Sequence, residues 1–323
     1  MKTSDNLPIT LPPGYTLRPP TLADLPAAHA LIAAADLGEV GEIDADNDDL
    51  RVDWEQADLG RDAWLIHAPG GQLAAYAFFL VDSPTRLIAD VYLHPEHRGR
   101  GLGTALTHLT EARAAEIVAP DRPGGRVTLG THINGPNVAA AELLANEGYR
   151  LVRHFWRMQI TLDAAPPPPA WPAGLVPRPF VPGRDERAVH ETIAETFADM
   201  WGYTRRDFAE WSAHMIDRPD FDPALWWLVQ DGDEIAATIC CYHHPDRGWV
   251  RSLGVRRPWR RRGLALALLQ HAFGLFWARG ERTIGLGVDA QSLTGATRVY
   301  ERDGMGVARQ FALWEKELRP ADD

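Results

Sequence analysis

The chain has 323 residues, room for two domains of ordinary size, and its 45% hydrophobic and 24% charged composition is that of a folded, water-soluble protein. A formal net charge of −11 argues against general nucleic-acid binding. No apolar run approaches the ~20 residues of a membrane span and MKTSDNLPIT holds no signal core, so a cytoplasmic protein with no membrane partner is expected.

In chain order, residues 15–18 read as a short strand. Thr21 caps a helix to about Leu37, with Asp24 in its first turn. An acidic stretch, 42–62, holds a second short helix. Residues 63–67 and 72–82 form a hairpin around Gly70-Gly71. Then come a strand at 87–94, a helix at 101–117, a strand at 127–132, a helix at 138–146 and a closing strand at 149–161. The stretch 164–174, AAPPPPAWPAG, reads as a semi-rigid polyproline linker. The same order follows it: a strand at 175–180, helices at 184–197 and 205–216, and a hairpin of 226–230 with 234–243. A strand at 249–255, a helix at 263–279, a strand at 283–289, a helix at 294–302 and a strand at 307–318 complete it. The fold class is therefore α/β with α+β-like layers: two tandem domains, 1–163 and 175–323, each a mixed sheet flanked by helices. The only cysteines, Cys240 and Cys241, are adjacent, which disfavours a disulfide and makes no zinc site.

The two halves share a motif. Residues 98–104 read RGRGLGT and 260–266 read RRRGLAL, both R-x-x-G-x-(G/A) between a strand and a helix. A glycine turn there aims backbone N–H groups and the helix dipole at one point, which suits a phosphate. Neither G-x-x-x-x-G-K-(S/T) nor G-x-G-x-x-G occurs, so this is neither a P-loop nor a dinucleotide fingerprint. His94 and His97, and His243-His244 near Asp246, lack metal-site spacing, and no metal is expected.

These segments resemble the GCN5-related N-acetyltransferase (GNAT) superfamily, twice over. HPEHRGRGLGTAL at 94–106 and RRPWRRRGLALALL at 256–269 resemble its motif A. NVAAAELLANEGY at 137–149 and SLTGATRVYERDGM at 292–305 resemble its motif B. The two-lobed layout is similar to that of mycothiol-synthase-type members. The resemblance implies acetyl-CoA as ligand. Its pyrophosphate would meet Arg98, Gly99, Arg100, Gly101, Leu102, Gly103 and Thr104 in one half. In the other it would meet Arg260, Arg261, Arg262, Gly263, Leu264, Ala265 and Leu266. Its pantetheine arm would run along Val91 and Leu93, or Leu253, Gly254, Val255 and Arg256, like an added strand, with Asn137 and Ser292 at the next helix starts. The cofactor's adenosine 3′-phosphate accounts for the arginines at 256–262.

Acetyl transfer from a thioester to an amine must remove a proton from an ammonium, pKa ~10.4 if lysine-like, and supply one to a thiolate, pKa ~8.5 if cysteine-like. Tyr300, four residues before Gly304, resembles the family's general acid, whereas the first half has Leu144 there. Asp90 is a possible base in the first half, and its counterpart is Ser252. In the second half His243, His244, Glu234 or a water chain could serve. Phe197, Asp199, Trp201 and Tyr203 suit an acceptor pocket, with Asp199 set to pair an ammonium, and 44–62 offers a second acidic lip. The expected function is an acetyl-CoA-dependent N-acetyltransferase for a small primary amine, by direct attack in a ternary complex, in the C-terminal half. Its rivals are an acyl-CoA sensor and an acyltransferase using a longer chain. Fusion of two lobes is compatible with a monomer.

Overall fold

The computed structural model describes residues 9–43, 47–118, 125–244, 246–292 and 295–320. The chain forms two compact units, Met1–Arg153 with Phe311–Asp323, and His154–Gln310. Asp44, at the start of the acidic lip, and Thr294, where a helix was expected to begin, lie outside the described residues.

The first unit begins with β1 (Thr16–Arg18), α1 (Leu25–Val40), α2 (Asn47–Gln56) and α3 (Leu59–Asp62). A meander of β2 (Ala63–His67), β3 (Leu73–Ser83) and β4 (Arg86–Leu93) leads to α4 (Leu102–Ile117), β5 (Val127–Asn134) and α5 (Val138–Asn146). The sheet order is β1-β2-β3-β4-β5, with β4 and β5 parallel. Side chains alternate across it. Leu65, Tyr76 and Phe78 pack under α1 and α2 with Ala28, Leu31 and Trp54. Ile66, Ala75 and Ala77 pack on Leu102, Leu106 and Leu109 of α4. At the entry to α1, Asp24 accepts from the Thr21 N–H at 2.9 Å and from both arms of Arg18 at 2.9 and 2.6 Å.

After β6 (Arg150–Thr161), the second unit contains β7 (Val176–Pro179), α6 (Glu186–Phe197) and α7 (Phe208–Met215). Next come β8 (Trp226–Asp231), β9 (Glu234–His244), β10 (Arg247–Val255), α8 (Leu264–Ala278), β11 (Thr283–Asp289) and α9 (Ala296–Arg302). β12 (Gly306–Arg319) ends the series. The order here is β6-β11-β10-β9-β8-β7, with β10 and β11 parallel. Leu268, Leu269, Phe273 and Phe276 of α8 are buried with Leu228, Val229 and Ile239. Each such Leu or Phe contributes about 1.5–3 kcal/mol.

The domain boundaries at 163 and 175 do not match these units. Each half was expected to close with its own strand. Instead β12 pairs with β5, Leu313 opposite His132, and belongs from Phe311 onward to the first unit. β6 pairs with β11, Met158 opposite Leu286, and belongs from His154 onward to the second. Lys316–Glu111 at 2.8 Å and Arg126–Glu317 at 2.8 Å fix β12 in the first unit. Both strands fit a half-buried edge, and alternation alone cannot choose between two similar edges. The proline stretch 164–174 lies inside the second unit, with Trp171 against His271, ring centroids 5.7 Å apart.

Candidate active site

Parallel pairing lasts three residues in each unit. It runs from Arg86↔Thr128 to Ile88↔Gly130, and from Gly248↔Ile284 to Val250↔Leu286. Beyond these pairs the strands part, and 89–93 and 251–255 have no parallel partner among the described residues. The parted strands form a cleft for an extended ligand. At its mouth the chain makes a short 3-10 turn, Pro95–His97 or Arg257–Trp259. His97 anchors the first through Tyr15 Oη at 2.9 Å and Gln72 Oε1 at 3.0 Å. Trp259 anchors the second by donating to Asp231 Oδ2 at 2.8 Å.

The cradles share one backbone path. Arg98 and Arg260 have φ, ψ of −65, 157° and −64, 156°. Gly99 and Gly101 have φ of 72° and 79°, while Arg261 and Gly263 have 62° and 86°. No side chain caps α4 or α8, so their first N–H groups point out of the helix end. A Cβ built on Gly99, Gly101 or Gly263 meets no atom within 4 Å, so there is open space above the cradle. Open space, outward N–H groups and two long helix dipoles fit the pyrophosphate of CoA. Arg261 and Arg262 make no side-chain bond among the described residues and remain available to phosphate.

The other arginines have partners. Arg98 pairs with Glu39 at 2.9 Å, and Arg100 donates to the Glu96 carbonyl at 3.4 Å. Arg256 pairs with Glu195 at 3.0 Å, and Arg260 donates to the Val255 carbonyl at 3.1 Å. Asn137 caps α5 by accepting from Ala140 N–H at 3.0 Å. Val91 and Leu93 pack on the α4 side of β4. Leu253 and Val255 pack against the second core, and a Cβ on Gly254 would strike Thr196 of α6.

Tyr300 lies on α9, 9% exposed, in the second unit's core. Its hydroxyl makes no hydrogen bond among the described residues, and burial pushes its pKa up to about 12. Leu144 of α5 fills the corresponding place with a buried aliphatic chain. Asp90 shares the α1–α2 face of β4 with its cross-strand neighbour Phe78. Burial, then the charge of Asp53, raises its pKa to about 7. Tyr76 and Tyr92 stack nearby, centroids 6.1 Å apart, and Trp54 donates to Tyr76 Oη at 2.7 Å.

Two of the expected site residues are already committed to ion pairs. His243 pairs across to Gly248, at the opposite end of β10 from Val255, and is held by Glu281 and Arg279 beyond the C-terminal end of α8. The 15 residues of α8 put about 20 Å of helix between that corner and the cradle. His243 is thus already paired at the far end of α8 from the cradle, and its neighbour His244, bonded to Asp246 at 2.8 Å, is at the same end. Asp199 is already engaged by two cations, with its side chain 34% exposed. Arg257 and Arg260 engage its carboxylate, the latter at 3.4 Å, and hold its pKa below the usual carboxylate value. Of the other acceptor candidates, Phe197 packs against the core and its ring lies 6.3 Å from that of Tyr203, which is half-buried; Trp201 sits in the turn between them.

Three features were missed. A β-bulge on β10 between Val250 and Ser252 leaves Arg251 out of register with β9 where the strands part. Beside it, Met215, Arg218, Phe221, Trp226 and Tyr242 line a small cavity with Arg251, with room for about one water. Glu39 lies past the expected end of α1, which continues to Val40. No sequence signal marks the bulge or the cavity, while the Gly41 stop signal does mark the longer helix.

Parted parallel strands, a glycine cradle and an uncapped helix, present twice, define a tandem acyl-CoA-binding fold. The Acetyltransferase (GNAT) family matches residues 31–149 and 188–305. The chain belongs to that family and is an acetyl-CoA-dependent acyltransferase. It is 31% identical over 326 residues to a mycothiol acetyltransferase of Streptomyces scabiei, covering 98% of each chain. It is 30% identical over 279 residues to that of Saccharopolyspora erythraea, covering 82% of this chain and 87% of the relative. A GCN5-related N-acetyltransferase from Sphaerobacter thermophilus superposes with TM-score 0.82 at 41% identity, covering 97% and 99% of the two chains. A tandem GNAT protein from the clavulanic acid pathway shares the fold, with TM-score 0.73 at 18% identity over 95% and 100%. Among the described residues, no helix is long and apolar enough to cross a membrane.

Proposed function

We propose that the second unit transfers acetyl from acetyl-CoA to a small primary amine by direct attack in a ternary complex, with Tyr300 as the proton donor. The observation that carries this is Tyr300, a side chain 9% exposed whose hydroxyl is protonated at neutral pH and has no protein partner among the described residues. Bound acetyl-CoA supplies an activated thioester. Its pyrophosphate would lie on the backbone of 260–266, with Arg261 and Arg262 in reach of phosphate. The bulge at Arg251 supports the same unit, because bulges re-aim backbone groups beside reacting centres. A phenol at about 12 is a weaker acid than a thiol at ~8.5, so full transfer to the sulfur is uphill. Tyr300 therefore acts best as a hydrogen-bond donor that yields its proton as the amine loses its own. In this reading a water takes the amine proton, since His243 and His244 are already paired with Glu281 and Asp246. The two arginines on Asp199 already balance its charge, so acceptor recognition in this reading rests on other groups of the second unit.

Tyr300→Phe should lower kcat by roughly 10²–10⁴, the usual size of a general-acid contribution, and leave CoA affinity unchanged. The assay is thiol release with acetyl-CoA and a panel of amines, des-acetyl mycothiol included because of the relatives' names. Wild-type turnover in the variant would refute the acid. Asp90, with a pKa near neutrality, favours a second reading in which the first unit is catalytic. Loss of turnover in Asp90→Asn but not Tyr300→Phe would establish it.

A further inference from the structure

We propose that Glu39 is a built-in anion that latches the first unit's cleft, so that acyl-CoA enters there only by displacing it. The latch presupposes acetyl-CoA as the ligand of the cradle. The Glu39 side chain is 15% exposed and takes three side-chain donors: Arg98 Nη2 at 2.9 Å, Asn134 Nδ2 at 2.6 Å and Asn137 Nδ2 at 2.7 Å. Arg98 belongs to the cradle after β4. Asn134 ends β5, and Asn137 caps α5. One carboxylate thus bridges both walls of the gap that opens beyond Ile88 and Gly130. These are donors suited to an anionic or carbonyl-rich ligand, already occupied by a protein anion.

The end of α1 is built for this seat. Gly38 precedes Glu39, and a Cβ there would come within 2.7 Å of Pro95 Cγ. Glycine is a poor helix residue, and close approach to the cradle is its reason here. Arg98 also reaches the Ala35 carbonyl of α1 at 3.4 Å. The second unit lacks the bridge. Asp199 meets only Arg257 and Arg260, on one wall, with its side chain 34% exposed, and no donor from β11 or α9 reaches it among the described residues. The two cradles are therefore unequal, and the second should fill first.

The test is calorimetric titration of the full chain with CoA in a Gly263→Glu background. There the new side chain, in a left-handed position and charged, blocks the second cradle and leaves the first to be read alone. Glu39→Ala should tighten CoA binding at least tenfold. Gly38→Ala keeps the carboxylate but pushes α1 off Pro95, and should act in the same direction. Unchanged or weaker binding in both would overturn the latch and make Glu39 a residue that positions the donors. If Glu39→Ala lowers the melting temperature sharply, Gly38→Ala decides. Failure of the chain with Gly263 intact to bind any CoA would count against the acetyl-CoA reading instead.

Discussion

Arg261 is the one non-glycine residue with left-handed φ among those described, at the position where the first cradle has Gly99. That conformation costs an L-residue about 1–2 kcal/mol, partly offset for glycine by its greater unfolded-state entropy. Arg261→Gly should raise stability by up to about 1 kcal/mol in denaturant melts while weakening CoA, since a cation is lost at the phosphates. Stronger CoA binding would mean the guanidinium is idle. Asp90 also carries a pH-dependent stability cost. Its pKa of about 7 lies above the ordinary 3.8, so the folded state holds a proton that the unfolded chain releases. Stability is full below about pH 4 and falls as pH rises through 7, by on the order of 4 kcal/mol. Asp90→Asn should therefore raise the melting temperature more at pH 8 than at pH 5. An equal rise at both would refute the buried charge. The cradle glycines and the place of Tyr300 on α9 were legible because their spacing is local. The partners of Asp199 were not: Arg257 stands 58 residues away in sequence.

Strands and helices were read nearly everywhere, since both units repeat strong alternation and amphipathic runs. Misses fell at element ends and irregularities. α1 was stopped at Leu37, although Gly41, with φ 79°, is the stop its backbone uses. The bulge in β10 carries neither glycine nor proline, so nothing local announces it. On α8, His271 sits between Trp171 and Trp227, ring centroids 5.7 and 4.0 Å away, with Nε2 buried and unbonded. Burial lowers its pKa below 6.5. The unfolded chain then takes up the proton first, so this contribution is complete above about pH 6.5 and declines as pH falls through the folded value. His271→Leu should flatten the acid side of a pH–melting curve. An unchanged slope would show that the ring is solvated.

Across the whole molecule, the exchange of closing strands overrides the proline boundary. A fragment of residues 1–163 retains β5 but lacks β12, and one of 175–323 lacks β6. Each fragment should aggregate or melt early when made alone, and mixing them should restore both sheets. Two stable, independently folded fragments would contradict the exchange. Two-fold repetition made the fold class legible, but also hid the pairing, because two edges of like character accept either strand. The exchange also sets a clock during synthesis. β5 leaves the ribosome well before β12 exists, with residues 154–310 still to be made. At ~5–20 residues per second that interval is on the order of ten to thirty seconds. Throughout it the edge of β5 stays unpaired, which makes the nascent first unit a client for chaperones and the second unit, complete by Gln310, the earlier to mature.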